Sequence, residues 1–288
     1  HNTNRALKPV ICAGALFRNG EEERPKEGAR NSIWESMNAP VEAAYVHLPF
    51  CRRRCYYCDF PIKVVGDRPG AAEIQYTPYL EILKKEIRMT KDSSCFGKDK
   101  CPGPSPGGLR SVYFGGGTPS LVAPEALKGV LRTLEECYGL ATDAEITLEA
   151  DPGTFDVARI KAYLDIGVNR LSLGVQSFDP AMLTAAGRAH TAADTDRALA
   201  ALREVGFENF GVDLICGLPH QTAEVWRGTL ERAVAARPQH ISVYDLQVEE
   251  GTAFGRWYAP GRAPLPGEGA AADLWRAASR RLGQAGYV

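Results

Sequence analysis

From residue 43 onward the chain alternates between two hydrophobic patterns. Short, β-prone apolar runs occur at Ala44–Leu48, Ser111–Phe114, Glu145–Leu148, Arg170–Val175, Phe210–Ile215 and His240–Leu246. Between them lie segments with helical spacing. The first is Tyr79–Met89, where Leu80, Leu83 and Ile87 fall on one stripe. Pro124–Cys137, Asp156–Leu164, Ala192–Val205, Glu224–Ala236 and Ala271–Leu282 follow. Pro124 opens its helix where a missing N–H costs nothing. Gly139, Gly167 and Gly206 sit just past the ends of theirs, where helices stop. Six strand–helix units in strict alternation predict an α/β fold, a parallel sheet joined by right-handed crossovers. The strands read as apolar on both faces, as expected between a helical layer and a barrel interior. A (β/α) barrel, complete or partial, and an open doubly wound sheet both fit.

Two segments stand outside this pattern. Residues 1–40 hold the acidic run Glu21–Glu23, scattered Gly and Pro, and no periodicity, which predicts a poorly ordered extension before a core over 41–288. Residues 1–20 carry Arg5, Lys8 and Arg18 without an acid, as a simple tail or the remnant of an organellar transit peptide would. Residues 91–110 mix Cys, Lys, Gly and Pro and read as a surface insertion. Charge narrows the function classes: 34 basic against 35 acidic residues give a formal −1, with no bulk attraction to nucleic acid or to an anionic membrane. No apolar run approaches the ~18 residues of a bilayer span. Eight cysteines are too few for a disulfide scaffold of 288 residues and suit a reducing compartment, cytoplasmic or organellar.

Barrel enzymes carry their chemistry in loops after the strands, and every strand here runs into a polar or glycine-rich cluster. His47 leads into Cys51-x3-Cys55-x2-Cys58 and Phe60; then come Gly115–Gly117 with Thr118, Glu149 with Asp151, Gln176, Asp213, and Tyr244–Gln247. Three thiolates on one compact turn are the number that holds three irons of a [4Fe–4S] cluster and leaves the fourth iron open. The same spacing suits zinc if His47 or Cys216 adds a fourth ligand. The glycines allow close backbone approach to a ligand, or simply a tight turn, and match neither a Rossmann nor a Walker A loop. Glu149 is suited to accept from ribose hydroxyls, while Asp151-Pro-Gly also reads as a turn. Arg52, Arg53 and Arg54 read as a solvated loop face, or as a docking spot for an acidic electron donor. His190 and His220 read as polar rim residues.

At the cysteine loop the sequence resembles a known family. Tyr45–Cys51 through Cys58, Gly115–Ser120, Glu149–Gly153, Leu173–Phe178 and Val212–Pro219 resemble, in order, the motifs of the radical S-adenosylmethionine superfamily. They look like its branch containing oxygen-independent coproporphyrinogen III oxidase (HemN) and the haem chaperone HemW. The resemblance covers about residues 43 to 288 and implies a partial (β/α)6 barrel of TIM type. It implies that Cys51, Cys55 and Cys58 bind the cluster and that S-adenosylmethionine chelates the fourth iron, where one electron cleaves it to methionine and a 5′-deoxyadenosyl radical. Tyr45, Tyr57, Gly116 and Glu149 would contact S-adenosylmethionine. Gly117, Thr118, Gln176, Arg188 and Asp213 match positions that hold a second molecule of it in the oxidase.

The oxidase pattern places another cysteine two residues after Cys58, where this chain has Phe60. That departure, with Tyr244–Gly255, implies the chaperone: haem as cargo passed to haem-accepting proteins, with a reducing donor such as a flavodoxin or ferredoxin. The alternatives are the oxidase, which decarboxylates the propionates of coproporphyrinogen III, and a zinc-stabilised binding module. The family's C-terminal haem-linked module is expected beyond Val288.

Overall fold

The computed structural model describes residues 11–12, 40–92 and 103–288. Most of the extension expected over 1–40, and the part of the expected insertion that holds Cys95 and Cys101, lie outside the described residues. All six expected strands form. In chain order the strands are β1 (Ile11–Cys12), β2 (Ala43–Leu48), β3 (Phe50–Cys51), β4 (Lys63–Val64) and β5 (Leu109–Gly116). They continue with β6 (Leu140–Ala150), β7 (Arg170–Gln176), β8 (Phe210–Cys216) and β9 (His240–Asp245). The large sheet runs β1-β2-β5-β6-β7-β8-β9. Its last six strands are parallel, and β1 adds antiparallel to β2 with Ile11 opposite Val46. The two-residue strands β3 and β4 pair separately.

Strand order decides between the two expected architectures. A doubly wound sheet reverses its order at a switch point. Here the parallel strands follow sequence order without reversal, so right-handed crossovers bring the long connecting helices to one face. That is barrel geometry, but the order is linear, so among the described residues the sheet stays open between β1 and β9. The chain is a partial barrel.

The helices are α1 (Ala71–Asp92), α2 (Pro124–Tyr138), α3 (Val157–Asp165), α4 (Pro180–Ala185), α5 (Ala192–Val205), α6 (Ala223–Ala236), α7 (Ala253–Trp257) and α8 (Glu268–Gln284). Their local signals explain them. Asp156 and Thr222 accept the N–H of the residue three places on, and Thr191 forms a full capping box with Asp194. Gly206 ends α5 in the left-handed conformation. Helix α1 begins eight residues before the expected start and runs through Pro78. Its buried stripe of Tyr76, Leu80, Leu83 and Ile87 outweighs the lost backbone bond. Trp226 is fully buried and donates to the Leu274 carbonyl at 2.9 Å, tying α8 to α6.

The expectation of strands apolar on both faces is corrected. Ala44, Val46 and Leu48 of β2 are buried, whereas Tyr45 and His47 between them are not. In β7, Gly174 and Gln176 alternate with buried Leu173 and Val175. In β8, Val212 and Leu214 flank a half-buried Asp213. One face is the core; the other presents Glu149, Gln176 and Asp213 to a cavity.

Candidate functional site

The cavity, about 420 Å³, lies at the C-terminal ends of the parallel strands. It is lined by Cys51, Cys55, Tyr57, Cys58, Gly116, Gly117, Thr118, Glu149, Gln176, Arg188 and Asp213. The structure thus brings together every expected site residue except Tyr45. Tyr45 instead stacks on Tyr113 at 5.9 Å between ring centres, with its hydroxyl 3.4 Å from His47 Nδ1. Tyr244, Asp245 and Gln247 complete the far wall.

The cysteine loop is fixed at several points. Phe50 is buried and meets Tyr79 edge to face at 5.3 Å, anchoring the start. Arg54 donates to the carbonyls of Cys58, Phe60 and Ile62 at 3.0, 3.1 and 3.3 Å, closing the turn. Tyr56 N–H bonds the Ala186 carbonyl, and Phe254 N–H bonds that of Tyr56. The reading of the three arginines as a solvated face holds for the exposed Arg53 and Arg54 and is corrected for Arg52. Arg52 reaches Asp151 at 3.3 Å and Arg54 binds the loop, while Arg53 pairs with Asp67 at the surface.

The three thiols are half-buried and unpaired with one another. Each sulfur accepts a hydrogen bond: Cys51 from Thr118 Oγ1 at 3.5 Å, Cys55 from Arg188 Nη1 at 3.3 Å, and Cys58 from the Phe60 backbone. Burial pushes the Cys51 thiol up to about 11 and also raises Cys58. Among the described residues no three His, Cys, Asp or Glu side chains converge as they would on a single metal ion. The three thiols line one wall of the same cavity. A mononuclear zinc site is not formed by His47, whose Nε2 lies 3.4 Å from the Pro61 carbonyl, nor by Cys216, which is buried and absent from the cavity wall.

The glycines answer first to the protein. A Cβ on Gly116, whose φ is +116°, would lie 2.5 Å from the His47 ring. One on Gly117 would lie 2.8 Å from the Phe50 carbonyl oxygen. Close packing against the cysteine loop therefore fixes them, and the same backbone faces the cavity. Glu149 is held by Tyr113 Oη and by Gly116 N–H, each at 2.9 Å. Its burial raises the carboxyl above its ordinary range, although both bonds favour the charged form. Ser172 donates to Asp213 at 3.0 Å. Gln176 has φ +64°, and its Oε1 is buried without a partner, an acceptor left for a ligand donor.

Asp151 and His190 were underrated by sequence. Asp151 accepts from Arg52, Arg188, His190 and Gly153 N–H. Burial opposes its charge, but the bond from His190 and the charge of Arg188 outweigh it and hold the carboxyl well below the usual range. His190 is a buried partner, not a rim residue, with Nδ1 3.0 Å from Asp151 and Nε2 3.2 Å from the Val175 carbonyl. His220 lies off the cavity wall, exposed, its N–H on the Pro264 carbonyl. Tyr113 and Ser172 were missed; Ser172 is two places before Gly174, which lines the cavity, and that alternation was the available signal for it.

The radical SAM superfamily profile matches residues 45–233. The chain belongs to the radical SAM superfamily. A "Heme chaperone HemW" from Synechocystis is 42% identical over 245 residues, 85% of this chain and 57% of that protein. The mouse "Radical S-adenosyl methionine domain-containing protein 1, mitochondrial" is 35% identical, over 92% of this chain and 57% of that protein. Escherichia coli coproporphyrinogen III oxidase (HemN), a radical SAM enzyme, superposes with a TM-score of 0.72 at 27% identity, covering 92% of this chain and 57% of that one. The chain thus spans little more than half the length of these relatives. Radical SAM membership implies a [4Fe–4S] cluster and S-adenosylmethionine, and the residues present fit them: three thiols, an unpartnered buried amide oxygen and a glycine backbone line one cavity. No helix among the described residues is long and apolar enough to cross a membrane.

Proposed function

We propose that residues 41–288 are the radical SAM core of a haem chaperone, which holds a cluster on Cys51, Cys55 and Cys58 and delivers haem to acceptor proteins. When bound, the cluster and S-adenosylmethionine supply one-electron chemistry; the protein supplies position. Gly116 and Gly117 admit the methionine end of the cofactor. The Glu149 carboxylate, held by two donors, takes the ribose hydroxyls, and the free Gln176 oxygen and Asp213 take further donors of the ligand. Tyr57, walled in beside Arg188, keeps water from that side. A reducing donor of flavodoxin or ferredoxin type would load the electron. The compartment is the cytoplasm or a reducing organelle, a mitochondrion or plastid.

Phe60 carries the choice of chaperone over oxidase. It stands where the oxidase pattern has a cysteine, 60% exposed on the cavity wall, so no fourth thiol is offered there. The relatives' names, HemW among them, point the same way. The complete protein should bind haem on titration, with a bound-haem absorbance spectrum, and leave coproporphyrinogen III unconverted under anaerobic reducing conditions. Sustained decarboxylation would overturn this reading in favour of the oxidase.

A further inference from the structure

The Arg188 guanidinium is committed to the protein on both of its terminal nitrogens. Nη1 donates to Cys55 Sγ at 3.3 Å and to Tyr57 Oη at 3.2 Å; Nη2 donates to Asp151 Oδ2 at 2.9 Å and to the Gly174 carbonyl at 2.7 Å. Guanidinium has five N–H donors, so only Nε remains, buried and without a partner. A side chain 11% exposed with four donors spent on the protein is built to stay where it is. The resemblance that would make Arg188 a ligand contact leaves this geometry unexplained.

We propose that Arg188 is a positioning residue for the cluster: it holds a charged N–H against the Cys55 sulfur and so sets the cluster's reduction potential. The inference rests on Cys55 being a cluster ligand. A cluster that takes up one electron gains one negative charge, shared with its thiolates. A cationic donor on one of those sulfurs stabilises the reduced form more than the oxidised form and raises the potential. Cys51 accepts from the neutral Thr118 hydroxyl, and Arg54 acts on Cys58 through its charge alone, so among the described residues Cys55 is the ligand of the three whose sulfur accepts a hydrogen bond directly from a cation. The support behind Arg188 is continuous. Asp151, 9% exposed, binds Arg188, Arg52 and His190, and His190, with its side chain wholly buried, is pinned to the Val175 carbonyl. This chain of contacts runs from the end of β7 to the cysteine loop.

The test is an EPR-monitored redox titration of the anaerobically reconstituted protein with dithionite and mediators, without S-adenosylmethionine. The Arg188→Met protein should keep the wild-type iron and sulfide content and show a lower midpoint potential. Arg188→Lys, which retains the charge but not the planar fork of donors, should fall between the two. His190→Gln should shift the potential in the same direction by less. A potential unchanged in Arg188→Met with the cluster intact overturns the proposal. If Arg188→Met does not fold, an unchanged potential in Arg188→Lys and His190→Gln together does the same. Failure of the wild-type protein to assemble any cluster would instead sink the ligand assignment beneath it, so the two failures are distinct.

Discussion

Glu149 Oε2 accepts the backbone N–H of Gly116 at 2.9 Å, locking the end of β5 to the end of β6. The other oxygen takes the Tyr113 hydroxyl. The carboxylate is thus aimed before any ligand arrives. Replacing Glu149 with Gln keeps the shape but loses the charge, and S-adenosylmethionine affinity should fall at least about tenfold. Glu149→Ala should also lose about 1–3 kcal/mol of stability, because two partly buried donors lose their acceptor. Isothermal titration and denaturant unfolding read the two effects; unchanged affinity in Glu149→Gln would contradict the role.

Gly116 is one of the glycines that cannot be exchanged. Its φ of +116° is strained for any side chain, and a Cβ would meet the His47 ring at 2.5 Å. Gly116→Ala should cost about 2 kcal/mol or more, measured by thermal or denaturant unfolding. Gly129, with open space around a Cβ and a place inside α2, should tolerate the same change or gain a little from it.

Acid should destabilise the apoprotein through Asp151. Its carboxyl lies below the ordinary value of about 3.9, so the charged form is favoured by folding. That stability is fully present above the unfolded value and is lost as pH falls through it toward the lower folded value. Between pH 5 and 3 the wild type should lose more stability than Asp151→Asn. At pH 7 the variant should be the weaker by about 3 kcal/mol, having left Arg188 buried without its counter-ion. Parallel pH dependences for the two proteins would argue against this network.

Iron loading should be pH-dependent in the opposite sense to acid protection of the thiols. Burial pushes Cys51 up to about 11 and raises Cys58, so without iron both are protonated near neutrality. Iron binds thiolate and must displace those protons. The rate of cluster assembly should rise several-fold from pH 6.5 to 8.5, followed by absorbance in the visible. A flat profile would mean that the thiols are not the entry point.

How much of this was legible in the sequence follows from how local each feature is. The strands, α5 and the glycine stops rest on short-range periodicity and capping, and they stand where the sequence puts them. The cysteine spacing is local too. The polar face of the sheet was not legible, because Glu149, Gln176 and Asp213 are single residues in apolar runs whose direction only pairing fixes. Helix α1 was cut short at Pro78 because burial of Tyr76 against the core is a tertiary fact. Asp151 and His190 lie 39 residues apart, and nothing in either neighbourhood announces the other. Arg54, one of three adjacent arginines, stitches its own loop, a role that charge patterning cannot separate from that of Arg53.

The central claim is that Cys51, Cys55 and Cys58 hold an iron–sulfur cluster in the cavity of this partial barrel. Iron and acid-labile sulfide analysis after anaerobic reconstitution tests it most directly. The wild-type protein should carry about four of each per chain, and Cys55→Ala, still folded by circular dichroism, should carry almost none. Zinc bound without sulfide, or full iron in Cys55→Ala, would contradict it.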